Sequence, residues 1–130
     1  MLFRSLYMTR RRFDQHGTEF GEWVRRQPIL AGRHGYLATN LDYIWGNYEQ
    51  QKWMLIEEKR WMSDLRPAQW DMIELVHDCC KSNEANWEKY QGFHLLQFER
   101  TNPDDGRIFW DKQEISKQQL IRLLSFEEAL

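Results

Sequence analysis

The spacing of hydrophobic positions changes several times along this chain, and each change predicts a new element. A helix is predicted over residues 18–27, where Thr18 suits the N-cap and apolar side chains recur on one face. Aromatic, β-branched and leucine residues then predict a strand over 36–48. Residues 49–51 are polar and predict a turn. A second strand is predicted over residues 52–61. The first half is therefore predicted to be a helix followed by a β-hairpin.

The second half begins with a predicted helix over residues 68–80, for which Pro67 suits the first turn and Ser63 or Asp64 the cap. Apolar residues lie on more than one side of this helix, which predicts that it packs between a sheet and other elements. A further strand is predicted over 92–98.

A loop rich in turn formers over 101–106, a short strand over 107–110 and a capping box from Ser116 to Gln119 complete the pattern. The capping box opens a last helix, whose predicted buried face consists of Leu120, Ile121, Leu123 and Leu124. This order of elements predicts an α/β fold, with a central mixed sheet that contains a β-hairpin and is flanked by helices.

The length of 130 residues favours a single domain. Within it, we expect a basic, partly ordered arm over residues 1–13, a folded core over 15–100, and a loop, short strand and C-terminal helix over 101–130. No apolar stretch approaches the roughly 18 to 20 residues of a membrane span, and the basic run follows a short apolar one, the reverse of a secretory signal. We therefore expect a cytoplasmic protein with no membrane partner.

Cys79 and Cys80 are the only cysteines and are adjacent, so they cannot build a disulfide framework. A zinc site needs spaced ligands, and no second cysteine pair exists, so both are predicted to be small buried helix residues. His94 lies in an apolar strand and is predicted to be a hydrogen-bonded core histidine.

Charge is unevenly distributed along the chain. The net charge is −2, but residues 1–33 contain seven basic and three acidic residues, which leaves −6 for the remainder. A basic end suits a protein that meets phosphate at one surface, and it equally suits an ordinary soluble protein. The candidate nucleic-acid-binding residues are Arg10, Arg11, Arg12, Arg25 and Arg26.

The most hydrophobic part of the predicted hairpin ends in charged residues. Side chains two residues apart in a strand share a face, so Glu57 and Lys59 point together while Glu58 and Arg60 point the other way. Asp42 lies on the partner strand. The length and position of the turn decide which of these charges it meets.

Several hairpin registers are open to this sequence. With a two-residue turn among residues 49–51, Asp42 lies opposite Glu57 or Lys59 and on the same face. A three-residue turn places Asp42 opposite Glu58 instead. A turn at 46–47 places it far from all of these charges.

In the first of these registers, two carboxylates and an ammonium group converge at the edge of an apolar sheet. Neighbouring carboxylates repel each other unless a cation lies between them. Oxygen ligands with open positions suit Mg²⁺ or Mn²⁺, which keep several waters and accept a phosphate oxygen. Lys59 would then orient an attacking water and offset charge on the phosphate. The alternative is a solvated strand end with cross-strand ion pairs.

Asp42, fourteen intervening residues and then Glu57-Glu58-Lys59 at the end of an apolar strand resemble the PD-(D/E)XK nuclease superfamily, which has the restriction-endonuclease-like fold. The core of that family has a helix, a strand hairpin with these motifs, a second helix and a further strand. The predicted order is similar to this core over residues 15–100.

The resemblance implies that Asp42 and Glu57 bind Mg²⁺ or Mn²⁺ and that Asp42, Glu57 and Lys59 are catalytic. Many members supply a further metal-binding acid from the first helix, for which Glu19 is the natural candidate. Three more side chains are accessory candidates: Glu22, Glu58 and Gln69. The implied activity is that of a hydrolase that cuts nucleic acid, with DNA as the expected substrate. Small members of the superfamily often dimerise to cut two strands, so the resemblance also implies a homodimer. A non-catalytic α/β interaction module, which includes a degenerate nuclease fold, is the alternative.

Overall fold

The structure is a computed structural model that describes residues 18–36, 38–82 and 89–127. Contacts between residues divide the chain into two compact units, residues 1–39 and 40–130. The single-domain organisation expected from the sequence stays a prediction.

The described part of the first unit is helical. Helix α1 (Glu19–Arg25) begins after Thr18, whose side chain accepts a hydrogen bond from the main-chain N–H of Gly21 at 3.1 Å. This capping bond satisfies one of the free N–H groups of the first turn, and it confirms the predicted start of the helix. Two short 3₁₀ helices follow, at Pro28–Leu30 and Gly32–His34.

The second unit is built on a sheet. Its described elements are β1 (Tyr43–Asn47), β2 (Lys52–Lys59), α2 (Pro67–Lys81), β3 (Tyr90–Phe98), β4 (Ile108–Trp110), β5 (Gln113–Ile115) and α3 (Lys117–Leu124). The five strands lie in chain order. Strands β2 and β3 are parallel and are joined through α2, and the other neighbours are antiparallel. The predicted α/β class, with a mixed sheet, a hairpin and helices, is confirmed.

The structure departs from the sequence prediction most clearly in the start of one strand, the cap of one helix and the presence of one further strand. Strand β1 begins at Tyr43 rather than at residue 36, because 32–34 forms a 3₁₀ helix and 38–42 makes no ladder. The N-cap of α2 is Arg66, whose side chain makes no capping hydrogen bond. Strand β5 was not predicted, because three residues are too few to show the alternation of polar and apolar side chains that identifies a strand.

Ser63 and Asp64 make other contacts in place of the predicted cap. The hydroxyl of Ser63 donates to the main-chain carbonyl of Arg60 at 2.6 Å. The carboxylate of Asp64 pairs with Lys112, and this contact lowers the pKa of Asp64. Both side chains are therefore engaged before the helix begins.

One face of the sheet packs against α3 and forms the main core. Its buried members are Met54, Ile56, Leu96, Phe98, Ile108, Trp110, Ile115, Leu120 and Leu123. The predicted capping box that starts α3 is present, with reciprocal bonds between Ser116 and Gln119. Ile121 was predicted to be buried but is 64% exposed, because the buried stripe of this short helix follows Leu120 and Leu123.

The opposite face of the sheet, which we call the site face, meets α2. Leu55, Leu95 and Gln97 are buried there, and the ring of Trp70 in α2 lies 5.7 Å from that of Phe93 in β3. These residues share a face because side chains alternate along each strand.

Helix α2 is buried along one stripe only. Ile73 is its one buried residue among those described, whereas Met72, Leu75 and Val76 are exposed. The prediction that this helix packs on more than one side is therefore wrong for the described residues. The prediction of two buried cysteines is also wrong, because Cys79 is exposed and Cys80 is half-buried.

Gly92 sets the alignment of β3 with β2. Trp53 pairs with Tyr90, but Leu55 pairs with Phe93, so β3 contains one extra residue at this bulge. Gly92 has a φ of +95°, which a residue with a side chain adopts only with strain. The bulge determines which side chains of β3 point to the site face.

The longest described helix, α2, has 15 residues. None of the helices that the structure describes has the length and apolar character that crossing a membrane requires.

Candidate functional site

The register of the β1–β2 hairpin places Asp42 beside Glu57. Paired positions run from Tyr43 opposite Ile56 to Asn47 opposite Lys52, so the next pair outward is Asp42 and Glu57. Their hydrogen bonds agree with this pairing. The main-chain N–H of Asp42 donates to Glu57 Oε1 at 3.3 Å, and Asp42 Oδ2 accepts the N–H of Glu58 at 2.8 Å.

This is the register that a two-residue turn at Glu49-Gln50 gives, although the loop has four residues, Tyr48 to Gln51. The side chain of Asn47 accepts the main-chain N–H of Gln50 at 2.9 Å and so stabilises the loop. The loop is longer than expected, but the strands pair as in the first alternative.

The four charges at the end of β2 divide between the two faces as predicted. Lys59 Nζ lies 3.5 Å from Glu57 Oε2 on the site face. On the other face, Arg60 Nε lies 3.1 Å from Glu58 Oε2, and the hydroxyl of Tyr43 donates to Glu58 Oε1 at 3.3 Å. Glu58 therefore belongs to a cross-strand surface pair and points away from Glu57.

Gln69, in the first turn of α2, joins the two charged groups on the site face. Its Nε2 donates to Glu57 Oε2 at 3.0 Å, and its Oε1 accepts from Lys59 Nζ at 3.1 Å. We call Asp42, Glu57, Lys59 and Gln69 the hairpin cluster. The hairpin cluster links three elements. Asp42 directly precedes β1, Glu57 and Lys59 belong to β2, and Gln69 belongs to α2.

Glu57 is 4% exposed, and this burial raises its pKa above the ordinary value. The negative charge of Asp42 raises the pKa further. The charge of Lys59 and the hydrogen bonds from Asp42 and Lys59 oppose these effects without offsetting them. The anion of Glu57 is therefore held in an unfavourable environment that additional positive charge would improve.

The ligand set of the hairpin cluster fits a hard cation that keeps part of its water shell. In the described part of the chain, no three His, Cys, Asp or Glu side chains are grouped so that they could hold a metal ion. Asp42 and Glu57 supply two carboxylates, and Mg²⁺ is commonly held by one or two carboxylates with waters and a substrate phosphate. The pair suits Mg²⁺ or Mn²⁺, and it lacks the histidine and cysteine ligands that dominate Zn²⁺ sites.

The remaining predicted site residues belong to the first unit or to the part of the chain that the structure does not describe. Glu19 and Glu22 are in the first turn of α1, and Arg25 and Arg26 are at its end, all within the first unit. Their roles stay predictions. The predicted arm over residues 1–13, with Arg10, Arg11 and Arg12, lies outside the described residues.

His94 was predicted to be a hydrogen-bonded core residue, and both of its ring nitrogens are engaged. Nδ1 lies 2.7 Å from Asp111 Oδ2, and Nε2 lies 2.7 Å from the carbonyl oxygen of Gln91. The ring stacks on that of Trp110 at 4.8 Å. His94 is half-buried rather than buried, and it holds the turn after β4 against β3.

Gln97 is a polar residue of the site face that sequence reasoning missed. It is 2% exposed, it pairs with Lys59 across β2 and β3, and its Nε2 donates to the carbonyl of Ser63 at 2.9 Å. Its Oε1 is buried and has no hydrogen-bond partner among the described residues. The available signal was one glutamine in an otherwise apolar strand end.

A cleft of about 550 Å³ also escaped prediction. Its apolar wall consists of Leu65, Pro67, Trp70, Phe93 and Leu95. Its polar lining comes from Asp64, Asp111 and Lys112. These residues come from three separate segments, so no local pattern in the sequence indicates the cleft.

No protein-family model, no curated protein and no solved structure matches this chain. The fold of the second unit and the geometry of the hairpin cluster are therefore the observations that bear on function.

Proposed function

We propose that this protein is a Mg²⁺-dependent nuclease that hydrolyses phosphodiester bonds in nucleic acid, with DNA as the expected substrate. The observation that carries the proposal is the contact between the buried carboxylate of Glu57 and the partly buried Lys59, beside Asp42 on one face of the sheet. A structural ion pair does not need the second carboxylate, which makes the anion of Glu57 less stable. A divalent cation at the two carboxylates would remove this cost.

Asp42 and Glu57 are assigned to the cation. Asp42 is exposed and leaves this side of the pair open to a substrate, whereas Glu57 is fixed by hydrogen bonds from Asp42 and Gln69. When bound, Mg²⁺ withdraws negative charge from the phosphate oxygens. The fixed carboxylate of Glu57 would need little rearrangement to bind the Mg²⁺ ion.

Lys59 is assigned to the attacking water and the phosphate. Its Nζ contacts Glu57 and Gln69, and an ammonium group has three N–H donors, so one remains for water or a phosphate oxygen. That donor would orient the water and stabilise charge that develops during the reaction. Gln69 positions both Glu57 and Lys59, because its amide Nε2 donates to Glu57 and its amide Oε1 accepts from Lys59.

The PD-(D/E)XK assignment is part of this proposal. In its support, the described elements follow the order helix, hairpin, helix and strand, and the strands of the hairpin bring Asp42 beside Glu57, which in turn contacts Lys59. A homodimer and a cytoplasmic location are proposed with it. The two free cysteines are compatible with a reducing compartment.

The experiment is cleavage by the purified full-length chain of plasmid, single-stranded and branched DNA, with Mg²⁺ and with EDTA. We expect Mg²⁺-dependent cleavage of at least one substrate, and loss of about 10²-fold or more in rate for Asp42→Asn and Lys59→Ala. Cleavage of RNA of matched sequence tests whether the protein prefers DNA to RNA. If the wild-type protein cuts no substrate, or if Asp42→Asn and Lys59→Ala both cut as well as wild type, the proposed site is wrong.

The alternative function is a non-catalytic interaction module. Exposed apolar side chains on α2, among them Leu75 and Val76, are the observation that favours it. Such a module needs no cation at Asp42 and Glu57. It should fold and melt identically with and without Mn²⁺.

A further inference from the structure

The cleft lined by Trp70 and Phe93 lies directly beside the hairpin cluster. Leu95 lines the cleft and pairs with Glu57 across β2 and β3, so the two residues are on adjacent strands of the site face, about 5 Å apart. Trp70 also lines the cleft, and it follows Gln69, which bonds Glu57. A group in the cleft and a phosphate at the cluster would therefore be neighbours.

The wall of the cleft suits a flat, unsaturated ring. Trp70 and Phe93 are tilted by 54° to each other, and Trp70 keeps 38% of its surface exposed. An indole held in place by a second aromatic ring, yet still exposed, offers a stacking platform at little conformational cost. The volume of about 550 Å³ lies within the range of small-molecule sites.

The lining of the cleft also carries groups that suit the polar edge of such a ring. Lys112 supplies donors and Asp64 supplies acceptors, and the two are paired with each other. Asp111 is held by His94 and by the main-chain N–H of Leu95, which donates to its Oδ1 at 2.9 Å. A purely apolar ligand would leave these charged groups facing it.

We propose that this cleft binds one unstacked nucleobase of the substrate, next to the phosphodiester bond that the hairpin cluster cleaves. The inference rests on the proposed nuclease function, and it specifies the substrate class as nucleic acid with an unpaired nucleotide at the cleavage position. A base inside a duplex is stacked on both sides and reaches such a cleft only after it is flipped out, which costs free energy. Single-stranded and branched substrates therefore bind better than a continuous duplex.

The test measures binding in EDTA, where no cleavage occurs, by fluorescence anisotropy of labelled single-stranded oligonucleotides. One abasic nucleotide is moved through the oligonucleotide, one position at a time. For wild-type protein, the abasic nucleotide should weaken binding about tenfold at one or two positions and have little effect elsewhere. Trp70→Leu, which keeps apolar bulk without an aromatic ring, should remove this position dependence.

Two matched variants control the experiment. Trp70→Phe keeps an aromatic face and should restore most of the position dependence. Tyr48→Ala removes an exposed aromatic ring in the hairpin loop, at the opposite end of β2 from Lys59, and should behave like wild type. If Trp70→Leu discriminates between intact and abasic oligonucleotides as wild type does, the inference is wrong.

The outcomes separate this inference from the proposed activity. Position-dependent binding that requires Trp70, without any Mg²⁺-dependent cleavage, supports the base site and overturns the nuclease. Mg²⁺-dependent cleavage without position-dependent binding overturns the base site and leaves the nuclease standing. Absence of both binding and cleavage overturns both.

Discussion

Asp42 and Glu57 are joined across the hairpin by hydrogen bonds that tie the strand register to the carboxylates. The main-chain N–H of Asp42 donates to the Glu57 side chain, and the Asp42 side chain accepts from the main chain directly after Glu57. Each carboxylate is therefore held by the backbone of the other's strand. A slip of one residue would break both bonds and turn one side chain to the other face.

The first prediction concerns Asp42→Asn, which keeps an acceptor for the N–H of Glu58 and removes one negative charge. Because that charge raises the pKa of Glu57, its loss should leave the melting temperature without metal unchanged or higher. Wild-type protein should gain about 5 °C at a Mn²⁺ concentration ten times the Kd. The variant should gain nothing. Differential scanning fluorimetry with and without Mn²⁺ measures both effects, and an equal gain in both proteins would place the cation elsewhere.

The second prediction concerns Lys59, whose removal leaves the buried carboxylate of Glu57 without its cationic partner. Lys59→Met should lower the free energy of unfolding by about 1–3 kcal/mol, measured by urea denaturation. Lys59→Met combined with Glu57→Gln should recover most of this loss, because no unpaired charge remains. Strict additivity of the two changes would mean that the residues do not interact.

The third prediction is a pH dependence. The pKa of Glu57 is raised above its ordinary value of 4.5, so the folded protein binds this proton more tightly than the unfolded chain does. The stabilisation is fully present below pH 4.5 and is lost as pH rises through the folded-state pKa. The unfolding free energy of wild type minus that of Glu57→Gln should therefore decrease as pH rises across this range.

Asp64 and Asp105 provide an internal check on this measurement. Their pKa values are lowered, by Lys112 and by Thr101 respectively, so they add stability above their unfolded pKa values that is lost as pH falls. Wild type and Glu57→Gln share this contribution, and the difference between the two proteins isolates Glu57. A difference that does not vary with pH would contradict the raised pKa.

The fourth prediction concerns the bulge that aligns β3 with β2. Gly92→Ala forces a side chain into a φ of +95° and should cost about 1–2 kcal/mol of unfolding free energy. Gly21→Ala, inside α1, is the control and should be neutral or stabilising because alanine favours helix. If Gly92→Ala is as stable as wild type, the glycine is not required for the bulge.

The hairpin cluster was largely predictable from the sequence, and the reason is the period of two in a strand. Parity alone separates Glu57 and Lys59 from Glu58 and Arg60, and the pairing then depends on one choice of register. The length of the loop could not be predicted from the sequence. Tyr48 to Gln51 form a four-residue loop that is stabilised by a hydrogen bond to the side chain of Asn47, and rules based on turn dipeptides do not include such a bond.

The rest of the site face depends on contacts between distant segments. The bulge at Gly92 shifts β3 by one residue and decides that Phe93, Leu95 and Gln97 face α2. No local pattern encodes this shift. The incomplete burial of Cys79 and Cys80 in α2 was missed for a related reason, since an apolar residue on a helix is buried only if another element covers that side of the helix.

Cleavage by a matched pair of variants, Glu57→Gln and Glu58→Gln, tests the central claim most directly. The two carboxylates are adjacent in sequence but point to opposite faces of the sheet, so the variants have the same change in charge and composition. We predict that Glu57→Gln loses Mg²⁺-dependent cleavage by about 10²-fold or more, while Glu58→Gln stays within a few-fold of wild type. Equal activity of Glu57→Gln and wild type, or an equal loss in both variants, would contradict the assignment of the hairpin cluster as the catalytic site.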